Sequence, residues 1–123
     1  MTAPGEARPW PTELRLDRGA GVLEIDYDDG RGFSLPAELL RVESPSAEVK
    51  GHGTGQKVTV PGKRNVGLVA AEPVGRYAVR IVFDDGHDTG IFSWAYLREL
   101  GENQDRLMAE YLAELARLGL SRD

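Results

Sequence analysis

The sequence contains no cysteine among its 123 residues, and this absence excludes several kinds of chemistry. There is no disulfide framework, no thiolate nucleophile, and no thiolate ligand for zinc or an iron–sulfur cluster. Long apolar runs are also missing, since no stretch approaches the ~20 apolar residues of a membrane-spanning helix. The N-terminal residues lack the apolar core of a signal peptide. We therefore expect a cytoplasmic protein that does not enter a membrane.

Basic charge is scarce as well. The chain has 15 lysines and arginines against 20 aspartates and glutamates, which gives a net charge of −5. Nonspecific nucleic-acid binding depends on many Lys and Arg contacts to phosphate, so the balance disfavours a nucleic-acid partner. One basic stretch without any acid, residues 49–71, contains Lys50, Lys57, Lys63 and Arg64. This basic loop is a candidate surface for an acidic partner.

The length and composition favour one folded domain. Hydrophobic residues make up 41% of the chain and charged residues 28%, as in globular proteins. Residues 1–12 contain three prolines and no periodic apolar pattern, which predicts a flexible tail. The domain itself is predicted over residues 13–119.

Two periodicities indicate the secondary structure. Alternation of apolar and polar residues predicts strands at 13–16 and 22–27. Further strands are predicted at 58–60, 66–71 and 77–83, with a short strand around Phe33. Short helices are predicted to start at Pro36 and near Ser93, the second closed by Gly101, with one more helical turn at Ser44-Pro45. Apolar residues spaced by three and four predict a C-terminal helix over 103–118, closed by Gly119.

The predicted fold class is α+β: a mostly antiparallel sheet with two short helices and a C-terminal amphipathic helix packed on it. The predicted core comprises Leu23, Ile25, Val79, Ile81, Phe83, Trp94, Leu97, Leu112 and Leu115.

An internal repeat is also visible. Residues 23–30, LEIDYDDG, resemble residues 79–86, VRIVFDDG, and each Asp-Asp-Gly predicts a hairpin turn followed by a short strand and a helix. If Ala37 is aligned with Ala95, the second loop holds two extra residues beside His87. Either two such units pack with approximate twofold symmetry, or the similar turns are a coincidence.

The chain has only two histidines, His52 and His87, and each lies in a glycine-flanked loop that favours solvent exposure. Two imidazoles and one carboxylate form a ligand set for non-haem iron. His52, His87 and Asp88 are therefore the candidate site for an Fe or Zn ion, with solvated loop histidines as the alternative.

No complete catalytic set is visible. The pairs Asp28-Asp29 and Asp84-Asp85 precede glycine, as turn chemistry requires. Ser44 and Ser46 have no histidine or lysine nearby in sequence to activate them, apart from Lys50 in the basic loop. The sequence leaves enzymatic activity open and favours its absence.

Three segments closely resemble the gamma-butyrobetaine hydroxylase-like N-terminal domain family. They are residues 35–53, with LPAELLRVESPSAEV and Gly-His-Gly, residues 74–79, and residues 83–94, FDDGHDTGIFSW. The resemblance covers about residues 11–101. It implies three contexts: free-standing bacterial proteins, the N-terminal domain of carnitine-pathway oxygenases, and a domain appended to P-loop ATPases of iron–sulfur cluster assembly.

The resemblance also implies a site. In the oxygenases the domain is similar to a zinc module with three cysteines and one histidine. The cysteine positions fall here on Ser44, Ser46 and Val49, and the histidine falls on His87. Because three ligands are missing, we expect a vacated polar pocket of Ser44, Ser46 and His87, with Asp88 beside it and His52 close to His87.

These observations predict a noncatalytic protein-binding or adaptor domain associated with iron–sulfur or metal-dependent enzymes. The alternative is a small metal- or anion-binding domain that uses His52, His87 and Asp88, with the zinc–cysteine site of its relatives lost. The sequence makes no prediction of oligomeric state.

Overall fold

The computed structural model describes residues 9–50 and 57–123. Two three-stranded antiparallel sheets carry the fold, each with its strands in chain order. Sheet A contains β1 (Pro11–Asp17), β2 (Val22–Tyr27) and β3 (Gly32–Pro36), and sheet B contains β4 (Leu68–Val74), β5 (Ala78–Phe83) and β6 (Ile91–Ser93). The helices are α1 (Ala37–Val42), α2 (Ala47–Lys50), α3 (Trp94–Glu102) and α4 (Gln104–Leu118). The predicted α+β class is confirmed, with two antiparallel sheets and a C-terminal helix.

The core lies under the inward faces of the two sheets. Alternation along β2 and β5 directs every second residue inward, so Leu23, Ile25, Val79 and Ile81 are fully buried. Leu97 of α3 joins the same cluster. None of the helices in the described ranges has the length and apolar character needed to cross a membrane.

The internal repeat is present in the structure. Each sheet is followed by a helix, and the first strand of each sheet contains a register shift. Gly30 and Gly86 take φ values of +86° and +90° in equivalent turns, which favours glycine there. In sheet A, Ser34 pairs with Glu24 across the strands, and at the equivalent position of sheet B, Ile91 pairs with Arg80. This register makes the second loop longer by one residue, so the alignment of Ala37 with Ala95 was wrong.

Two ion pairs connect the units reciprocally. Arg98 of α3 binds Asp29 in the turn of sheet A, with Nη2 2.7 Å from Oδ2. Arg41 of α1 binds Asp85 in the turn of sheet B, with Nε 2.7 Å from Oδ2. Each helix therefore holds the turn of the other unit, which is the pattern of a twofold-related pair.

Several local predictions were wrong. Residues 58–60 form no strand, and Leu112 is 40% exposed on α4, whereas Leu115 is 3% exposed. Gly101 does not end α3, which continues to Glu102. A Cβ at Gly101 would lie 2.5 Å from Cγ of Phe33, so this glycine makes room for an aromatic ring.

Candidate functional site

The polar cluster around His87 forms where the loop between β5 and β6 meets the turn between α1 and α2. Gly86 has positive φ and forms the turn of this loop. Two hydrogen bonds hold the loop in place: the His87 amide donates to Asp85 Oδ1 over 3.0 Å, and the Phe83 amide donates to the His87 carbonyl over 3.0 Å. These contacts direct the imidazole towards the segment that leads from α1 into α2.

Both ring nitrogens of His87 have partners. Nε2 lies 2.9 Å from the Ser44 hydroxyl and 3.3 Å from the Ser46 hydroxyl, and Nδ1 lies 3.1 Å from Glu48 Oε2. The Thr89 hydroxyl donates to the other Glu48 oxygen over 2.9 Å. An ionised carboxylate only accepts, so Nδ1 donates to Glu48, and in that tautomer Nε2 accepts from the Ser44 hydroxyl. We call these five residues the His87 cluster.

The cluster is closed to solvent on the serine side. Ser44 is 0% and Ser46 8% exposed, and the His87 side chain is 1% exposed and packs near Phe83 with ring centroids 5.8 Å apart. The expectation of an exposed loop histidine was wrong for His87. The cluster is open to solvent at Glu48, whose side chain is 63% exposed.

Gly90 allows this close packing. A Cβ at this position would overlap the Ser44 hydroxyl and would lie 3.0 Å from Cε1 of Phe92. Both neighbours are fully buried. Glycine is thus required here because Ser44 and Phe92 approach its backbone closely, and not because of its backbone conformation.

Charged residues support the loop from behind. Asp85 accepts from Arg41 and from Lys63 Nζ at 2.7 Å, in addition to the His87 amide. Burial alone would raise the pKa of Asp85, but the hydrogen bonds from Lys63, the His87 amide and Arg41 outweigh it and lower that pKa to about 2. Asp85 is therefore an anion at neutral pH that anchors the loop.

The linkage Ser44–His87–Glu48 has the connectivity of a serine–histidine–acid triad. A nucleophilic serine must reach its substrate, however, and Ser44 has no exposed surface. The arrangement therefore acts as a buried hydrogen-bonded clamp in this conformation. Sequence reasoning missed Glu48 and Thr89, because neither stands near His87 in a recognisable motif.

The zinc site implied by the family does not fit these residues. A Cys₃His site needs three thiolates, and here the positions hold two hydroxyls and Val49, which is fully buried. No group of three histidine or acidic residues suited to a metal occurs in residues 9–50 and 57–123. Asp88 forms an ion pair with Arg80, with Oδ2 3.4 Å from Nη1. His52 lies outside the described residues.

The four cations of the basic loop all have carboxylate partners: Lys50 and Lys57 bind Glu43, Lys63 binds Asp85, and Arg64 binds Asp123. The Glu43 side chain is only 5% exposed, so two ammonium groups compensate its burial. Much of the positive charge of this loop is therefore balanced within the chain.

A second candidate surface is the outward face of sheet B. The sheet B face consists of Ala70, Glu72, Val74, Ala78, Arg80, Val82, Ile91 and Ser93. The equivalent sheet A face consists of Glu13, Arg15, Asp17, Val22, Glu24, Asp26, Gly32, Ser34 and Pro36. Five residues of the sheet A face are charged, whereas only Glu72 and Arg80 are charged on the sheet B face.

Comparisons with known proteins place the chain among related domains. Two solution NMR structures share 51% identity with it, with TM-scores of 0.81 and 0.82 over 94% and 99% of this chain and 90% of each of those chains. A crystal structure from Acidithiobacillus ferrooxidans, of a protein with unknown function in the DUF971 family, shares 42% identity over 79% of this chain and 98% of that one, with a TM-score of 0.64. No curated protein matches the chain.

The family model for the gamma-butyrobetaine hydroxylase-like N-terminal domain matches residues 14–98. This range includes sheet B, sheet A from Leu14 onwards, and the whole His87 cluster. The chain therefore belongs to the gamma-butyrobetaine hydroxylase-like N-terminal domain family.

Proposed function

We propose that this chain is a noncatalytic domain that binds a partner protein through the sheet B face. The observation that carries the proposal is the difference between two faces that occupy equivalent places in the repeat. Asp26 corresponds to Val82, and Ser34 corresponds to Ile91. The sheet A face is thus polar at two positions where the sheet B face is aliphatic.

Several apolar residues of sheet B are exposed. Ile91 is 49% and Val74 39% exposed, and Val69, the extra residue at the register shift of β4, is 42% exposed. Single exposed aliphatic residues are ordinary, but several on one small sheet favour association with another surface. A partner that covered these three side chains would gain about 25 cal/mol of favourable free energy for each Å² of apolar area removed from water.

A paired set of variants tests the proposal. Ile91→Lys places a charge on the sheet B face, and Ser34→Lys places the same charge at the equivalent position of the sheet A face. The tagged domain and both variants are used to capture partners from a bacterial lysate, with quantitative mass spectrometry. We expect a protein retained by the original domain and by Ser34→Lys and lost with Ile91→Lys. Equal capture by all three would contradict the proposal.

The contexts implied by the family resemblance suggest which partners to test first. They include iron-dependent oxygenases and ATPases of iron–sulfur cluster assembly, so a metal-dependent enzyme is the class of partner that we propose. A purified enzyme of this class can replace the lysate in the same three-way comparison.

The second candidate function is a small metal or anion site at His87. Its support is the convergence of an imidazole with the exposed carboxylate of Glu48, at 3.1 Å. Calorimetric titration with Zn(II) and Fe(II) tests it, with His87→Ala and Glu48→Gln as variants and Asp88→Asn as the control. Binding that His87→Ala abolishes would support this function, and heat that is unchanged by all three variants would exclude it.

A further inference from the structure

The internal repeat contains two equivalent arginines, and the first unit shows what a complete set of partners is. Arg98 donates with all three guanidinium nitrogens: Nη1 and Nη2 bind the two Asp29 oxygens at 3.1 and 2.7 Å, and Nε binds Glu102 at 3.2 Å. Arg31 also binds Glu102, at 3.3 Å. Two cations and two carboxylates are therefore balanced in this unit.

Arg41 has a poorer set of partners in the second unit. The strand register aligns Arg41 with Arg98, and its Nε binds Asp85 at 2.7 Å. The same Asp85 oxygen accepts from Lys63 Nζ at 2.7 Å. Nη1 of Arg41 is buried without a hydrogen-bond partner, and it is the one such side-chain atom in residues 9–50 and 57–123. Two cations thus share one carboxylate, and the three residues carry a net charge of +1.

The lengths of the two helices explain the difference. Because α3 runs to Glu102, a carboxylate lies one helical turn beyond Arg98. In contrast, α1 ends at Val42, and the position equivalent to Glu102 is Pro45, which has no charge. A buried donor without an acceptor destabilises a fold, and more so when it is charged, so an acceptor from outside the chain is favoured here.

We propose that Arg41 and Lys63 bind a carboxylate that the chain itself does not supply, in the role that Glu102 has in the first unit. Arg41 donates Nη1 to an oxygen of this ligand, and Lys63 attracts it as a second cation. The side chains of Arg41, Lys63 and Asp85 are 12%, 19% and 18% exposed, so the site is shielded but not sealed from solvent. It uses no residue of the sheet B face and therefore goes beyond the proposed function.

Thermal denaturation at pH 7 and constant ionic strength tests the site. Sodium formate represents a small free carboxylate, the α-amide of N-acetylglutamate represents the side chain of a partner protein, and sodium chloride is the reference salt. With about 100 mM ligand and a dissociation constant on the order of 10 mM, binding favours the folded state about elevenfold and raises the melting temperature by about 5 °C. A rise with formate only assigns the site to a free carboxylate, and a rise with the glutamate derivative assigns it to a side chain.

Lys63→Gln and Arg64→Gln are the matched variants. Both remove a cation of the basic loop, but Arg64 pairs with Asp123 and takes no part in the site. We expect Arg64→Gln to keep the rise and Lys63→Gln to lose it, because Asp85 then balances Arg41 alone. A ligand-dependent shift of the Arg41 Nε–H signal in ¹H–¹⁵N NMR spectra is the direct readout, which holds even if Lys63→Gln lowers stability.

Two results would overturn the proposal. One is a melting temperature that is the same in all three salts together with an unmoved Arg41 signal, which would mean that water alone satisfies Nη1. The other is a rise that Lys63→Gln leaves unchanged. Neither result affects the comparison of Ile91→Lys with Ser34→Lys, so the proposed function is tested separately.

Discussion

The His87 cluster should act as a structural clamp, and His87→Ala is the perturbation that tests this role. The imidazole is 1% exposed, and its removal leaves a cavity beside Phe83. It also deprives the fully buried Ser44 hydroxyl of its 2.9 Å partner, leaving only two 3.4 Å contacts, one with the Ser46 hydroxyl and one from the Ser46 amide. An orphaned buried hydroxyl costs about 1–3 kcal/mol, and the cavity adds about 1–2 kcal/mol.

The expected loss of unfolding free energy is therefore about 3 kcal/mol. For a chain of this length, that loss corresponds to a fall in melting temperature of roughly 10 °C. Thermal denaturation followed by circular dichroism at pH 7 measures it. Arg31→Ala is the matched control, because Arg31 holds the equivalent place in the first unit but is 55% exposed. We expect a change of under about 1 kcal/mol there.

A double-mutant cycle with Ser44→Ala identifies the cause. If the orphaned hydroxyl carries the cost, the double variant loses about 1 kcal/mol less than the sum of the single variants. A fall of less than about 2 °C in His87→Ala, or strict additivity in the cycle, would refute the clamp.

Three further predictions concern stability. Gly90→Ala should lower the unfolding free energy by about 1–3 kcal/mol. The control Gly19→Ala, whose Cβ would meet its nearest atom at 3.6 Å, should change it by less than about 0.5 kcal/mol. Equal melting temperatures of the two variants would contradict the packing argument. The folded-state pKa of Asp85 is about 2, below its ordinary 3.8, so its carboxylate stabilises the fold above pH 4 and loses that effect as pH falls towards 2. Asp85→Asn should thus cost about 1–2 kcal/mol at pH 7, allowing for solvent screening, and nothing near pH 2 in acid titrations of stability. On α4, urea denaturation should give a loss of about 2–5 kcal/mol for Leu115→Ala and less than about 0.5 kcal/mol for Leu112→Ala, and a reversed order would mean that the other face of the helix is docked.

Local patterns in the sequence were enough for most of the secondary structure. The strands predicted at 22–27 and 77–83 match β2 and β5, and the predicted core contains five of the residues that they bury, because successive side chains of a strand point to opposite faces. The predicted helix over 103–118 matches α4, Gln104–Leu118, since its period and the positive φ of Gly119 are properties of the local chain. The motifs of residues 35–49 and 83–94 were likewise sufficient to indicate the family.

Tertiary packing decided what no local pattern contains. Leu112 and Leu115 belong to one apolar stripe, but only the angle at which α4 docks on α1 determines that Leu115 is buried and Leu112 is not. Glu48 stands 39 residues before His87, and the two meet because α2 packs against the loop between β5 and β6. The apolar character of the sheet B face likewise becomes visible only when strand register aligns it with the charged face of sheet A. A sequence specifies which side of an element is apolar, whereas contacts between distant elements depend on how those sides pack together in three dimensions.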